Sequence, residues 1–371
     1  MNIRRDGNEG SALVHNHSGS APCSHGVSRR EFLGTLGALG AAAAIPASGL
    51  LAQTGSAAKS TPGRIDVHHH LYPPAYVKAM ADDMAKAGFH PPTWTPQTSI
   101  QMMDEAGVAT AMLSPVQRLV MDSMSDKSER ARTLTRQSNE YNAQLVNDFP
   151  GRFGMLAALP LPDQDGSLKE IEYSFDTLKA DGIALWTDYI DKWPGDPAFA
   201  SVFDELNRRK AVVFFHPAIS TCCRNLPGQS GIIEYDLDTA RAIDSLILNG
   251  TTSRCPDIRF IFSHAGGAFS VLAARINDDF PKRLADRVPH GVDYEVRKLY
   301  FDTAHASKPA ALDALKDIVP VSQILYGSDV PLRKFPLTDE GLEAYAGFSP
   351  ADWKAINRGN SERLFPRFKT S

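Results

Sequence analysis

Arg64-Ile65-Asp66-Val67-His68-His69-His70 is a short run of strand character that ends in three consecutive imidazoles. Period-two alternation sends His68 and His70 to one side and His69 to the other, so two imidazoles aim together. Reading outward, seven further runs of the same kind follow, separated by helical patterns: Thr110–Ser114, Phe153–Ala158, Gly182–Trp186, Val212–His216, Arg259–Ser263, Leu299–Asp302 and Ile324–Gly327. In Ser167–Ala180 the residues Leu168, Ile171, Phe175 and Leu178 recur at helical spacing, and in Pro197–Arg209 Phe199, Val202, Phe203 and Leu206 do the same. Strands and helices alternating in this way predict parallel βα units, and eight of them over about 300 residues make an α/β fold of the TIM (β/α)8 barrel type. A doubly wound open sheet is the alternative, but no GxGxxG or GxxxxGK(S/T) stretch supports its nucleotide-binding versions. Pro217–Asn249 is longer than one connection needs, and is expected to wall a pocket or a subunit contact.

The chain has 371 residues, 43% hydrophobic and 22% charged, with 39 basic against 43 acidic side chains and a formal charge of -4. No electrostatic excess is present to hold a polyphosphate backbone, which argues against a nucleic-acid partner. Four cysteines, at 23, 222, 223 and 255, form neither a disulfide framework nor a CxxC pair. Any metal must then be held by histidine and carboxylate. Ser28-Arg29-Arg30-Glu31-Phe32-Leu33-Gly34, followed by the Ala/Gly-rich stretch Thr35–Ala52, resembles a twin-arginine export signal. Gly34, Gly37, Gly40, Pro46, Ser48 and Gly49 dilute that stretch below what a stable membrane span needs. The expected organisation is a signal and flexible segment over residues 1–58 and one catalytic barrel over residues 59–371, exported to the periplasm or beyond the cytoplasm.

Chemistry on such a barrel sits at the C-terminal ends of the strands. The first strand ends in His68-His69-His70, the fifth in His216-Pro217, the sixth in His264-Ala265-Gly266-Gly267, and the eighth is followed by Gly327-Ser328-Asp329. A lone histidine at a strand end is usually a satisfied core residue, but joint occurrence on strands one, five, six and eight points to a metal site.

The pattern Asp66-x-His68-x-His70, Phe215-His216-Pro217, Ser263-His264-Ala265-Gly266-Gly267 and Tyr326-Gly327-Ser328-Asp329-x-Pro331 resembles the amidohydrolase-related group that contains aminocarboxymuconate-semialdehyde decarboxylase. Ile65–Pro74, Ile171–Thr187 and Ala211–Pro217 further resemble its 6-methylsalicylate decarboxylase branch, and the resemblance runs over about residues 63–366, including Gly359-Asn360-Ser361-Glu362-Arg363-Leu364-Phe365. It implies one divalent metal held by His68, His70, His216 and Asp329, with His264 beside it as a catalytic group. Zn²⁺ is the first expectation and Mn²⁺ the second, since imidazole and carboxylate accept both. The fourth strand, Gly182-Ile183-Ala184-Leu185-Trp186-Thr187-Asp188, offers no lysine to bridge two metals, so a mononuclear site is expected and Asp188 is read as a loop residue. The implied activity is non-oxidative decarboxylation of a small aromatic or muconate-like acid, best a hydroxybenzoate, with Asp329 as proton donor. Relatives with this pattern also form homodimers.

Asp302, ending the seventh strand, is a candidate for holding an imidazole tautomer from behind. Arg118, Arg224 and Arg241 are candidates for clamping a substrate carboxylate, and Trp94, Trp186 and Phe215 for walling an aromatic pocket. Where the muconate enzyme carries an arginine-bearing loop this chain reads Pro91-Pro92-Thr93-Trp94, which weighs against a muconate substrate. Cys222-Cys223 reads as an inert pair, since adjacent cysteines bridge poorly. The same ligands fit a hydrolase of a small ester, lactone or amide, in which a metal-bound water attacks the carbonyl, and the export signal adds some weight to that alternative.

Overall fold

The chain folds around eight parallel strands that neighbour one another in sequence order: β1 (Arg64–Leu71), β2 (Val108–Pro115), β3 (Phe153–Ala158), β4 (Gly182–Trp186), β5 (Val212–His216), β6 (Arg259–Phe262), β7 (Tyr300–Asp302) and β8 (Ile324–Leu325). This computed structural model describes residues 63–86, 90–115, 129–190, 192–218 and 230–369. The expected signal, Arg118, Cys222-Cys223 and Arg224 lie outside the described residues. Backbone bonds from Val67 N–H to the Tyr326 carbonyl (3.0 Å) and from His70 N–H to the Val330 carbonyl (2.7 Å) bring the last strand back to the first. The sheet is therefore a barrel, and the open-sheet alternative falls.

Helices cover the outside of the barrel: α1 (Pro74–Lys86), α2 (Pro96–Glu105), α3 (Glu129–Asp148), α4 (Gln164–Asp176), α5 (Ala200–Arg208), α6 (Ser230–Leu248), α7 (Phe269–Asp278), α8 (Pro309–Ile318) and α9 (Phe335–Glu343). The spacing read for Pro197–Arg209 holds: Phe199, Val202, Phe203 and Leu206 are all buried against the sheet. Helix α4 begins three residues before the expected Ser167, because Asp163 caps it by accepting from Gly166 N–H at 3.0 Å. It ends at Asp176, before Lys179 takes a left-handed φ of 59°.

All eight strands send apolar side chains inward, among them Ile65, Val67, Met112, Leu156, Val212, Phe214, Ile261 and Leu325, and Leu364, Phe365 and Phe368 close the lower end. Asn360 fixes that closure by donating to the Val321 and Ile324 carbonyls, both at 2.7 Å. Strand β1 departs from plain alternation. Its register with β2 runs Asp66↔Ala111 and then His69↔Leu113, so one extra residue is accommodated between them. The bulge changes the strand's phase: Ile65 and Val67 fill the apolar interior below, and His68 and His70 face the same interior above. Asp66 is thereby turned away from His68 and His70. Its carboxylate accepts from His69 Nδ1 (3.1 Å), Ser328 N–H (3.0 Å) and Ser328 O–H (2.6 Å), stapling β1 to the segment that carries Asp329.

Candidate metal centre

The top layer of the barrel interior is made of imidazoles. His68 stands edge-on over Phe214, with ring centroids 5.0 Å apart, so the apolar interior ends where the polar cluster begins. His68, His70, His216 and Asp329 bring one ligand atom each to within 4.8 Å of one another. His68 Nε2 lies 3.2 Å from His70 Nε2, and Asp329 Oδ1 lies 3.1, 2.9 and 3.8 Å from the Nε2 atoms of His68, His70 and His216. Two ligands about 2.0–2.1 Å from one ion at tetrahedral angles stand about 3.3 Å apart, so these separations suit a single small divalent cation.

Each imidazole is held from behind at Nδ1. His68 donates to Asp302 Oδ2 at 2.8 Å, His70 to Ser114 Oγ at 3.0 Å, and His216 to the Pro217 carbonyl at 3.1 Å. That leaves the Nε2 atoms facing the centre, the arrangement a metal-binding histidine requires. Among the described residues, His216 Nε2, His264 Nε2 and Asp329 Oδ1 are buried without a hydrogen-bond partner. The His216 and Asp329 atoms converge on the same point as the Nε2 atoms of His68 and His70, which is what a bound cation satisfies, and the residues present fit such an ion.

The electrostatics agree. Burial lowers His70, and lowers His216 well below the ordinary imidazole range, so both offer lone pairs. Burial acts on His68 in the same direction, but Asp302 and then Asp329 outweigh it and hold His68 at about 10. Asp329 is pulled well below the usual carboxylate range: burial pushes it up, but the charge on His68, the nearby imidazoles of His216 and His264, and the hydrogen bond from His305 overcome that. A metal ion must displace the His68 proton. Because that group is protonated in the metal-free protein below a pKa of about 10 and neutral when ligated, metal binding is expected to release one proton near neutral pH. Affinity should rise about tenfold per pH unit from about pH 6 to 9. Calorimetric titration in buffers of different ionisation enthalpy checks this; pH-independent affinity would contradict it.

His264 follows β6 and lies beside the cluster rather than in it. Its Nε2 is 3.8 Å from Asp329 Oδ2, and its ring stacks on His68 at 5.2 Å. Its backbone N–H donates to Asp302 Oδ1 at 3.0 Å, so one carboxylate orients both His68 and His264. Asp302 thus takes the place expected of it. Asp302→Ala is expected to weaken metal binding about 10- to 100-fold, as loss of a carboxylate behind a ligand histidine does. Equilibrium dialysis measures it.

His305 was missed by the sequence reading. It lies three residues beyond β7, and its Nε2 donates to Asp329 Oδ2 at 2.9 Å while Arg333 Nη1 donates to its Nδ1 at 3.4 Å. Asp329 therefore turns Oδ2 to His305 and Oδ1 to the imidazoles of His68, His70 and His216. His264, His305 and Asp329 all adopt positive φ, at 56°, 56° and 67°. Strained backbone at non-glycine positions is concentrated here, as it often is at functional sites. The only cue in the sequence is a histidine shortly after Asp302.

Trp186 is buried at the end of β4 and meets the His216 ring edge-on at 5.1 Å. Trp94 packs against the core with its indole N–H buried and unpartnered. Two expectations are corrected. Phe215 faces the outer helices, stacked on Phe262 at 5.0 Å, because β5 sends Val212, Phe214 and His216 inward. Arg241 pairs with Glu234 at 3.6 Å and lines a groove between α6 and α7 with Leu272 and Ile276.

The sequence model of the amidohydrolase family matches residues 65–367. The decarboxylase yanB of Aspergillus niger is 37% identical over 330 residues, covering 82% of this chain and 88% of its own length. The 6-methylsalicylic acid decarboxylase of Penicillium expansum is 34% identical over 324 residues, covering 82% and 97%. The solved structure of a dihydroxybenzoic acid decarboxylase from Polaromonas, with bound manganese and 2-nitroresorcinol, shares the fold at TM-score 0.69 and 20% identity, covering 83% of this chain and 98% of that one.

Proposed function

This chain belongs to the amidohydrolase family, and on that premise we propose that it is a metal-dependent, non-oxidative decarboxylase of a small aromatic carboxylic acid, with a hydroxybenzoate as its substrate. The observation that carries the reading is the 34% identity, across 82% of the chain, to a 6-methylsalicylic acid decarboxylase. His68, His70, His216 and Asp329 would hold the metal, zinc first and manganese second, and the ion would supply a Lewis acid that fixes and polarises the oxygens of the acid.

The chain's own residues then have defined work. Asp329 Oδ2, flanked by His305 at 2.9 Å and His264 at 3.8 Å, carries the proton. In the free protein the surrounding histidines keep this carboxylate ionised. Entry of an anionic substrate places a like charge beside it, which raises its pKa and lets it take up a proton. Transfer of that proton to the ring carbon bearing the carboxylate, followed by cleavage of the carbon–carboxylate bond with its electron pair returning to the ring, releases CO₂. Asp329 ends ionised and is reprotonated for the next cycle. His264 Nε2, buried and unpartnered, is placed to hydrogen-bond a substrate oxygen. Asp302 orients His68 and His264 together.

Incubating metal-loaded protein with 6-methylsalicylate, 2,6-dihydroxybenzoate and a set of lactones and small esters tests this by mass spectrometry. Loss of CO₂ from a hydroxybenzoate, suppressed by chelator, is expected. Gain of water by a lactone or ester, with the aromatic acids untouched, would transfer the same residues to a hydrolase.

A further inference from the structure

Tyr72 is the first residue after β1 and stands two residues beyond His70, at the end of the strand that carries the metal-site histidines. It is only 4% exposed, yet among the described residues it joins none of the apolar clusters that make up the core. Its hydroxyl is buried and has no hydrogen-bond partner among the described residues. Besides burial, the Asp329 carboxylate and the Tyr235 phenol act on it electrostatically, so both lie near it. A phenylalanine would fill the same volume without leaving an orphaned donor, and nothing in the chemistry derived above uses this one.

We propose that Tyr72 is a substrate-binding residue whose O–H donates to an oxygen of the aromatic acid held beside Asp329. The assignment rests on the decarboxylase reading. A neutral phenol suits the task better than a cation would. The carboxylate's charge vanishes as CO₂ departs, so a guanidinium paired with it would stabilise the bound acid more than the transition state, whereas a single neutral hydrogen bond orients the acid at smaller cost to the rate. Tyr72 therefore selects aromatic acids that present an acceptor oxygen on this side of the metal, and it acts on binding more than on the chemical step.

Tyr72→Phe removes the hydroxyl and keeps the ring. In metal-loaded protein, the KM for 6-methylsalicylate and the calorimetric Kd for 2,6-dihydroxybenzoate are expected to rise about 10- to 100-fold, with kcat and metal content close to those of the unaltered protein. Resorcinol, which lacks the carboxylate, is measured alongside. Weakened binding of the acid alone assigns the hydrogen bond to the carboxylate, and equal weakening of both assigns it to a ring oxygen. Unchanged KM and Kd overturn the proposal, as does a loss of metal content, which would make Tyr72 a support for the ligands instead. Binding and CO₂ release are read separately, so a protein that binds the acid but releases no CO₂ refutes the decarboxylase reading while the comparison of variants still stands. Failure of the unaltered protein to bind either probe overturns both.

Discussion

Asp329→Asn is expected to lower turnover by about 10³-fold or more in metal-replete protein, while the barrel stays folded. Asparagine keeps the size of the side chain and one oxygen that can face the cluster, but it can neither carry a negative charge nor hold and release the proton assigned to Oδ2. The effect is large because two functions meet in one group. Oδ1 lies 2.9 Å from His70 Nε2 and 3.1 Å from His68 Nε2, while Oδ2 is held 2.9 Å from His305 Nε2. The backbone is committed too: Asp329 N–H donates to the His68 carbonyl at 2.8 Å, and φ is 67°. Steady-state kinetics with metal analysis of the same sample checks the expectation. Activity within tenfold of the unaltered protein at equal metal content would remove Asp329 as proton carrier.

Replacing the histidines separates metal binding from chemistry. His68→Asn should lose most of the bound metal and cost stability, about 3 kcal/mol, because it removes the charged partner of the fully buried Asp302 carboxylate and leaves it only the backbone N–H groups of His264 and Ala304. His264→Asn should retain the metal and lose about 10²-fold in kcat, since its Nε2 faces the reaction space from 3.8 Å beyond Asp329 Oδ2 and is not among the four converging ligand atoms. Metal content after gel filtration, thermal unfolding and kcat distinguish the two. A metal-depleted His264 variant, or a His68 variant with full metal, would reverse the assignment.

The architecture was legible because hydrophobic periodicity is local. β3, β4 and β5 have the bounds that their apolar runs predict, and the helix over Pro197–Arg209 shows in four residues of one face. The clustered histidines His68, His70 and His216 were legible because they end strands that were themselves legible. The bulge in β1 was not. It depends on which residues of β2 stand opposite, and a strict alternation would have put Asp66 on the side of His68 rather than against Ser328. His305 was hidden for a similar reason: a left-handed turn after β7 folds it back onto Asp329, and no glycine marks that turn. Phe215 and Phe214 are adjacent and chemically identical, so only the phase of the strand tells which faces the site and which the helices.

On the proposed function, a single ion held by His68, His70, His216 and Asp329 supports decarboxylation. Titrating metal-free protein with zinc or manganese while recording bound metal and CO₂ release from a hydroxybenzoate tests it most directly. CO₂ release should be absent without metal, rise in proportion to occupancy, and saturate at one ion per chain. Undiminished CO₂ release from metal-free protein, or a rate that rises only with a second ion per chain, would contradict it.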